Sequence, residues 1–203
     1  MLWVGVHLPA LSLESFIATL GLGMVDDAAG RQGAAMAAGP SDPDPVDPVG
    51  PVALIDRQRL VAVNGAAREG GLRPGQKRAT ALGLVPHARL GEADAARDAA
   101  ALQAVVHALM AFTPAVSVAG RHVVLAEVQA SLRCFGGLAR LLERLRAGLA
   151  SLGHRVRIAC GPTPKAAEWL ATWRADFPPP DTKAGWRAGL GALPVSVMAA
   201  AAP

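Results

Sequence analysis

Residues His122 to Leu138, HVVLAEVQASLRCFGGL, alternate apolar side chains, turn through polar residues and reach Phe135-Gly136-Gly137 before a new apolar periodicity begins. The alternation predicts a strand with Val123, Leu125 and Glu127 on one face and His122, Val124, Ala126 and Val128 on the other. Phe135-Gly136-Gly137 then leads into a helix. Glu127 is the acid in an otherwise apolar run, with two readings. It is an edge or solvent-facing strand residue, or a carboxylate aimed into a cleft.

Working outward, Ala115–Ala119 reads as a strand joined to this one through a tight Gly120-Arg121 turn. Downstream, Leu138, Leu141, Leu142, Leu145, Leu149 and Leu152 make the apolar stripe of a helix over 138–152. Arg155–Cys160 reads as a strand and Thr163–Arg174 as a helix, with Thr163 placed to cap it. At the start of the chain, Leu2–Leu8 is a buried strand stopped by Pro9, and Leu13, Phe16, Ile17 and Leu20 give Ala10–Leu22 helical spacing. With residues 24–113 left aside, the order is β, α, β, β, α, β. That predicts an α+β, ferredoxin-like sheet covered on one face by two helices, with a sizeable insertion after the first. A site would then lie on the open face, near the end of the first strand and the middle hairpin.

The insertion has two parts. Residues 24–51 include GPSDPDPVDPVGP, whose prolines forbid both a helix and a central strand, so a linker or flexible insertion is expected. Val52–Ile55 and Leu60–Val63 flank the polar Asp56-Arg57-Gln58-Arg59 and predict a hairpin. The turn-rich NGAAREGGLRPGQKRATALGL follows, placing Arg68, Arg73, Lys77 and Arg78 within eleven positions. Such a loop either holds phosphates or is a solvated basic surface. Glu92–Phe112 is the longest helical pattern, and the tail from Phe177 reads as loose.

The totals bound the function. A chain of 203 residues with 52% hydrophobic residues supports a packed core, and a net charge of +4 with a pI near 9.8 permits contact with nucleic acid without requiring it. Cys134 and Cys160 lack metal-ligand spacing, so neither a zinc site nor a disulfide framework is indicated and a cytoplasmic setting fits. His7, Pro9 and Glu14 interrupt the apolar N-terminal run, which argues against a signal peptide and a membrane span.

Four pieces in this order, VAVNGAAREGGLRPGQ, a helix followed by FTPAVSV, EVQASLRCFGG, and GHRVRIACGPTPKAAEWLA, resemble the Y-family, or UmuC-like, translesion DNA polymerases, and among them the non-catalytic mutasome subunits. The resemblance implies a palm made of 1–23 and 113–176, fingers over 52–112, and an approach over 177–203 to thumb and little-finger domains that are missing here. Active members hold two magnesium ions on carboxylates. The family's first D-x-D pair falls on His7 and Pro9, and its second acidic pair on His122 and Val123, so the resemblance implies no catalytic residue, no metal and no cofactor. Glu127 matches an accessory acid.

Other matches are partial. The fingers motif that supplies Tyr and Arg to a triphosphate keeps only Arg68, the aromatic that screens ribonucleotides is Ser12, and Lys165 adjoins the place of a phosphate-binding lysine. Arg68 and Lys165 are thus a nucleotide-binding remnant, with Arg68, Arg73, Lys77 and Arg78 as DNA contacts. The resemblance implies a pseudo-polymerase scaffold in SOS-induced error-prone translesion synthesis. Its partners would be DNA, bound weakly by this chain alone, an error-prone replicative-type polymerase, a RecA-like accessory protein and the sliding clamp. A divergent active polymerase using Glu14 and Glu127, and a truncated remnant without function, are the alternatives.

Overall fold

The computed structural model describes residues 1–20, 49–173 and 182–194. Most of the expected 24–51 insertion, and most of the expected approach over 177–203, lie outside the described residues. The chain forms two compact units.

The first unit is built on a sheet of four strands, β1 (Trp3–His7), β5 (Val116–Ala119), β6 (Val123–Glu127) and β7 (Arg157–Gly161). They lie in the order β5-β6-β1-β7, every pair antiparallel, which is the ferredoxin-like arrangement expected from the sequence. β1 is central. Trp3 pairs with Glu127 and Gly161, and His7 pairs with Val123 and Arg157. Because side chains alternate along a strand, Trp3, Gly5, His7, Val123, Leu125, Glu127, Arg157, Ala159 and Gly161 share one face.

That face is not open, contrary to the expectation of helices on one side only. Helix α7 (Pro164–Trp173) lies along it, with Ala167 in a cluster with Val123, Leu125 and Trp3. The approach is backbone to sheet. A Cβ on Gly5 would stand 2.5 Å from the Ala167 carbonyl oxygen, and one on Gly161 would stand 2.4 Å from the Ala167 nitrogen. Two glycines in otherwise apolar strands are what allow this seating. Thr163 caps the helix as expected, its hydroxyl accepting from the Ala166 N–H at 3.2 Å.

The opposite face carries Val4, Val6, Leu8, Val124, Ala126 and Val128, all buried. The same unit holds the buried stripes of α6 (Leu138–Ala150), at Leu141, Leu145 and Leu149, and of the second half of α4 (Ala95–Met110), at Leu102, Val105 and Leu109. Between β6 and α6 the short helix α5 (Leu132–Phe135) ends on Gly136 and Gly137, whose φ values of 74° and 106° suit glycine. The tail, read as loose, holds a helix. α8 (Lys183–Gly191) is capped by Thr182 and brings Trp186 and Leu190 against Ala159, Leu170 and Ala171.

The second unit is a smaller α/β body. β2 (Val52–Asp56) and β3 (Arg59–Val63) form the expected hairpin, and β4 (Arg89–Glu92) adds parallel to β2, giving the order β3-β2-β4. Alternation again sorts the faces. Val52 and Leu54 pack with Leu13, Phe16 and Ile17 of α1 (Leu11–Thr19), while Ala53, Leu60 and Val63 pack with Ala67 of α2 (Gly65–Glu69) and Ala81 of α3 (Arg78–Leu84). Gly91 leaves room for the Phe16 ring, which would meet a Cβ at 2.3 Å.

Three elements here differ from the sequence reading. The basic stretch after Asn64 is not a plain loop but contains α2 and α3. Glu92 ends a strand instead of starting a helix, and α4 begins at Ala95, where the Asp94 carboxylate accepts from the Ala96 and Arg97 N–H groups at 2.8 and 3.1 Å. By contacts, α1 groups with the second unit and residues from Leu102 onward with the first.

Candidate functional site

The end of β1 is where the sequence expects the chemistry. The sheet register sets His7 beside Val123 on one side and Arg157 on the other, and the backbone pairing continues through the Leu8 N–H donating to the His122 carbonyl at 2.8 Å. Three of the four positions at which the sequence resemblance expects carboxylates, His7, His122 and Val123, are therefore neighbours in the folded sheet, and Pro9 lies two residues beyond His7.

His7 is half-buried and its pKa is lowered from 6.5 to about 4, first by burial, then by the nearby positive charge of Arg157 and by His122. Its Nδ1 is buried and makes no hydrogen bond among the described residues. A neutral imidazole offers a nitrogen and no carboxylate oxygen. Magnesium requires hard oxygen ligands in an octahedron. His7, Pro9, His122 and Val123 do not fit that ion, and no group of three or more His, Cys, Asp or Glu side chains suited to a metal occurs among the described residues.

The remaining acids do not repair the set. Glu127 pairs with Trp3, at the other end of β1 from His7, a separation of about 13 Å along a strand. Its carboxylate accepts from the Gln129 N–H at 3.0 Å, which makes it a turn former at the strand exit. Glu14 lies on α1 in the second unit. Ser12, at the expected screening position, donates to the Asp98 carboxylate, to which Ser15 also donates at 3.1 Å, so this face of α1 is tied to the first turn of α4.

Lys165 stands at the start of α7, at the Trp3 end of the sheet, and pairs with Glu168 at 2.9 Å. The register separates it from His7. Arg68 sits on α2 and reaches the Val63 carbonyl at 3.4 Å. Asn64, which precedes it in the fingers motif, is 2% exposed; its side-chain oxygen accepts from Val52 and Ala67 N–H groups at 2.9 and 3.0 Å, and its amide donates to the Gly50 carbonyl at 2.7 Å.

The four basic residues singled out after Asn64 separate into two pairs. Arg73 donates to the Leu72 carbonyl at 2.7 Å and to the Arg68 carbonyl, so it braces the loop as Arg68 does. Lys77 and Arg78 instead line a groove of about 280 Å³ with Arg57, Gln58, Arg59 and Ala79. Arg57 and Arg59 were missed in the sequence because the hairpin tip reads as an ordinary polar turn.

A ferredoxin-like sheet with an appended small α/β unit is the palm-and-fingers arrangement of Y-family DNA polymerases. Solved structures agree: a post-insertion binary complex of Dbh DNA polymerase superposes with a TM-score of 0.63 at 13% identity, covering 97% of this chain and 53% of that one. DinB from Sulfolobus solfataricus gives 0.53 at 15% identity, covering 85% and 45%. The profile of the impB/mucB/samB family matches residues 46–172, and the chain belongs to that family. Among curated relatives, Protein ImuB of Caulobacter vibrioides, strain NA1000 / CB15N, is 35% identical over 130 residues, which are 63% of this chain and 28% of that protein. The sequence of the same protein from strain ATCC 19089 / CIP 103742 / CB 15 matches equally. The chain thus spans about half of the solved polymerases and under a third of ImuB. No helix among the described residues is long and apolar enough to cross a membrane.

Proposed function

We propose that this chain is the polymerase-like core of a catalytically inactive scaffold for error-prone translesion synthesis in the response to DNA damage. One observation carries the reading: the sheet register makes neighbours of the positions at the end of β1 where the resemblance expects carboxylates, and they are His7, His122 and Val123, beside Arg157. Two-metal phosphoryl transfer needs carboxylates at that place to hold the ions and offset the charge of the triphosphate. The side chains of His7, His122 and Val123 contribute no oxygen ligand. Similarity to ImuB supports a role beside other polymerases, and the partners expected on this reading are a replicative-type error-prone polymerase, a RecA-like accessory protein and the sliding clamp.

The test is primer extension. The expected result with Mg²⁺ or Mn²⁺, for the 203-residue chain and for the longest natural form of the protein, is no template-directed incorporation above a no-protein control. Incorporation that follows the template would overturn the proposal.

A further inference from the structure

The short helix α5 and the start of α6 carry a surface that neither the sheet nor the end of β1 uses. Phe135, at the end of α5, is half-buried and packs against the half-buried Phe112, with ring centroids 5.1 Å apart and planes tilted by 32°. The Arg144 guanidinium lies over the Phe135 ring, 5.8 Å from its centroid. Arg140, one turn earlier on α6, lies over Gly136, where a Cβ would meet its side chain at 3.1 and 3.2 Å. Arg133 on α5 is exposed, and Met110, two residues before Phe112, is 54% exposed. Met110, Phe112 and Phe135 thus form an apolar step beside Arg133, Arg140 and Arg144, all within the first unit.

The charge of this surface is unbalanced. Between Phe112 and Arg157 the chain has seven arginines against two acids, Glu127 and Glu143. Among the described residues Arg133, Arg140 and Arg144 form no ion pair with a carboxylate, and Glu143, the acid of α6, pairs with none of them. Arg140 and Arg144 stand four apart on one helix, a spacing at which like charges repel. Both are also laid over α5, so part of their rotamer freedom is already lost in the free protein and less remains to lose on binding.

The chemistry of the surface selects the kind of partner. Aromatic, methionine and arginine side chains are those enriched in the centres of protein interfaces. A phosphodiester chain would cover the guanidinium groups and leave Met110 and the phenyl edges in water. Arg144 covers one face of the Phe135 ring and Phe112 packs against the same ring, so it is no open platform for base stacking.

We infer that this surface docks an acidic amphipathic segment of another protein, with its apolar side chains on Met110, Phe112 and Phe135 and its carboxylates on Arg133, Arg140 and Arg144. The inference rests on the proposed scaffold role, for which it supplies a protein-binding face on α5 and α6.

The experiment is fluorescence anisotropy of a labelled helical 14-mer, with Leu at positions i, i+3, i+4 and i+7 and Glu elsewhere, titrated with the 203-residue chain. Wild type is expected to bind with a Kd on the order of 10 μM at 0.1 M salt. The test variant, Arg133→Ala/Arg140→Ala/Arg144→Ala, is expected to bind about thirtyfold more weakly, and Met110→Ser about threefold more weakly. The control, Arg121→Ala/Arg146→Ala/Arg187→Ala, removes three exposed cations outside the surface and stays within about threefold of wild type. Matched thermal midpoints establish that the variants fold. If the triple test variant loses its fold, Met110→Ser/Arg133→Ala replaces it, with about tenfold weaker binding expected. A peptide with Gln for every Glu is expected to bind wild type about tenfold more weakly, while the test variant no longer distinguishes the two peptides.

No binding by wild type, or equal losses in test and control variants, would overturn the inference. So would a polyglutamate 14-mer that binds as tightly as the amphipathic peptide, since charge alone would then account for the binding. A single-stranded DNA 14-mer that displaces the peptide and loses affinity in the test variant would assign the surface to nucleic acid instead. If the longest natural form of the protein fails to bind a peptide that the 203-residue chain binds, the surface is covered from within the same protein and the external partner is excluded. None of these outcomes depends on primer extension, so the failure of this inference is separable from that of the proposed scaffold role.

Discussion

At the scale of single residues, His7 is a half-buried imidazole held neutral by its surroundings. Its pKa is near 4 in the folded chain against 6.5 unfolded, so the unfolded chain binds more protons throughout that interval. Stability is therefore complete above pH 6.5 and falls as the pH drops toward 4. Between pH 7.5 and pH 5 the loss from this residue is about 2 kcal/mol. His7→Phe removes the term, and denaturant titrations at the two pH values should show a smaller midpoint difference for the variant than for wild type. Equal differences would contradict the burial of a neutral imidazole beside Arg157. Asn64 is a second test. Replacing it by alanine strips buried Val52 and Ala67 N–H groups and the Gly50 carbonyl of their partner, with an expected loss of about 2–3 kcal/mol in unfolding free energy.

At the scale of elements, the seating of α7 on the sheet brings helix backbone against strand backbone at Gly5 and Gly161. Gly5→Ala or Gly161→Ala drives a methyl group into helix backbone that has no room to move, at a cost of about 2–3 kcal/mol or a failure to fold. Gly148→Ala, in α6 with open space at its Cβ, should gain about 0.5–1 kcal/mol. Chemical denaturation of the three variants checks the contrast, and a loss at Gly148 matching that at Gly5 would refute it. The strands and long helices were legible because period 2 and period 3.6 are written in their apolar residues. The five-residue α2 and four-residue β4 are too short to show a period, and α8 hides its partly buried Trp186 and Leu190 among glycines. Which face α7 covers is not in its own pattern at all. The signal lies in the strands, at Gly5 and Gly161.

At the scale of the molecule, the site was legible only as a set of matched positions. His7 and His122 are far apart in sequence, and it took the β1–β6 register to make them neighbours. Arg57 and Arg59 were invisible beside Lys77 and Arg78 for the same reason, since their grouping is a product of the hairpin and its bridge to Lys77. The sheet order also predicts how the chain tolerates shortening. A protein ending at Gly153 lacks β7, α7 and α8 and leaves β1 paired on one side only; it should show no cooperative thermal transition for the first unit, followed by tryptophan fluorescence at Trp3.

The central place of β1 has a consequence for synthesis. Trp3–His7 leaves the ribosome well ahead of its sheet neighbours, since β6 and β7 follow it by more than a hundred residues. During translation the apolar WVGV segment is a strand with two unpaired edges, while β2, β3 and β4, contiguous in the nascent chain, are already able to pair. A chaperone that recognises extended apolar segments has its longest opportunity here, and slowed translation before Gly161 should raise the aggregated fraction of the nascent protein.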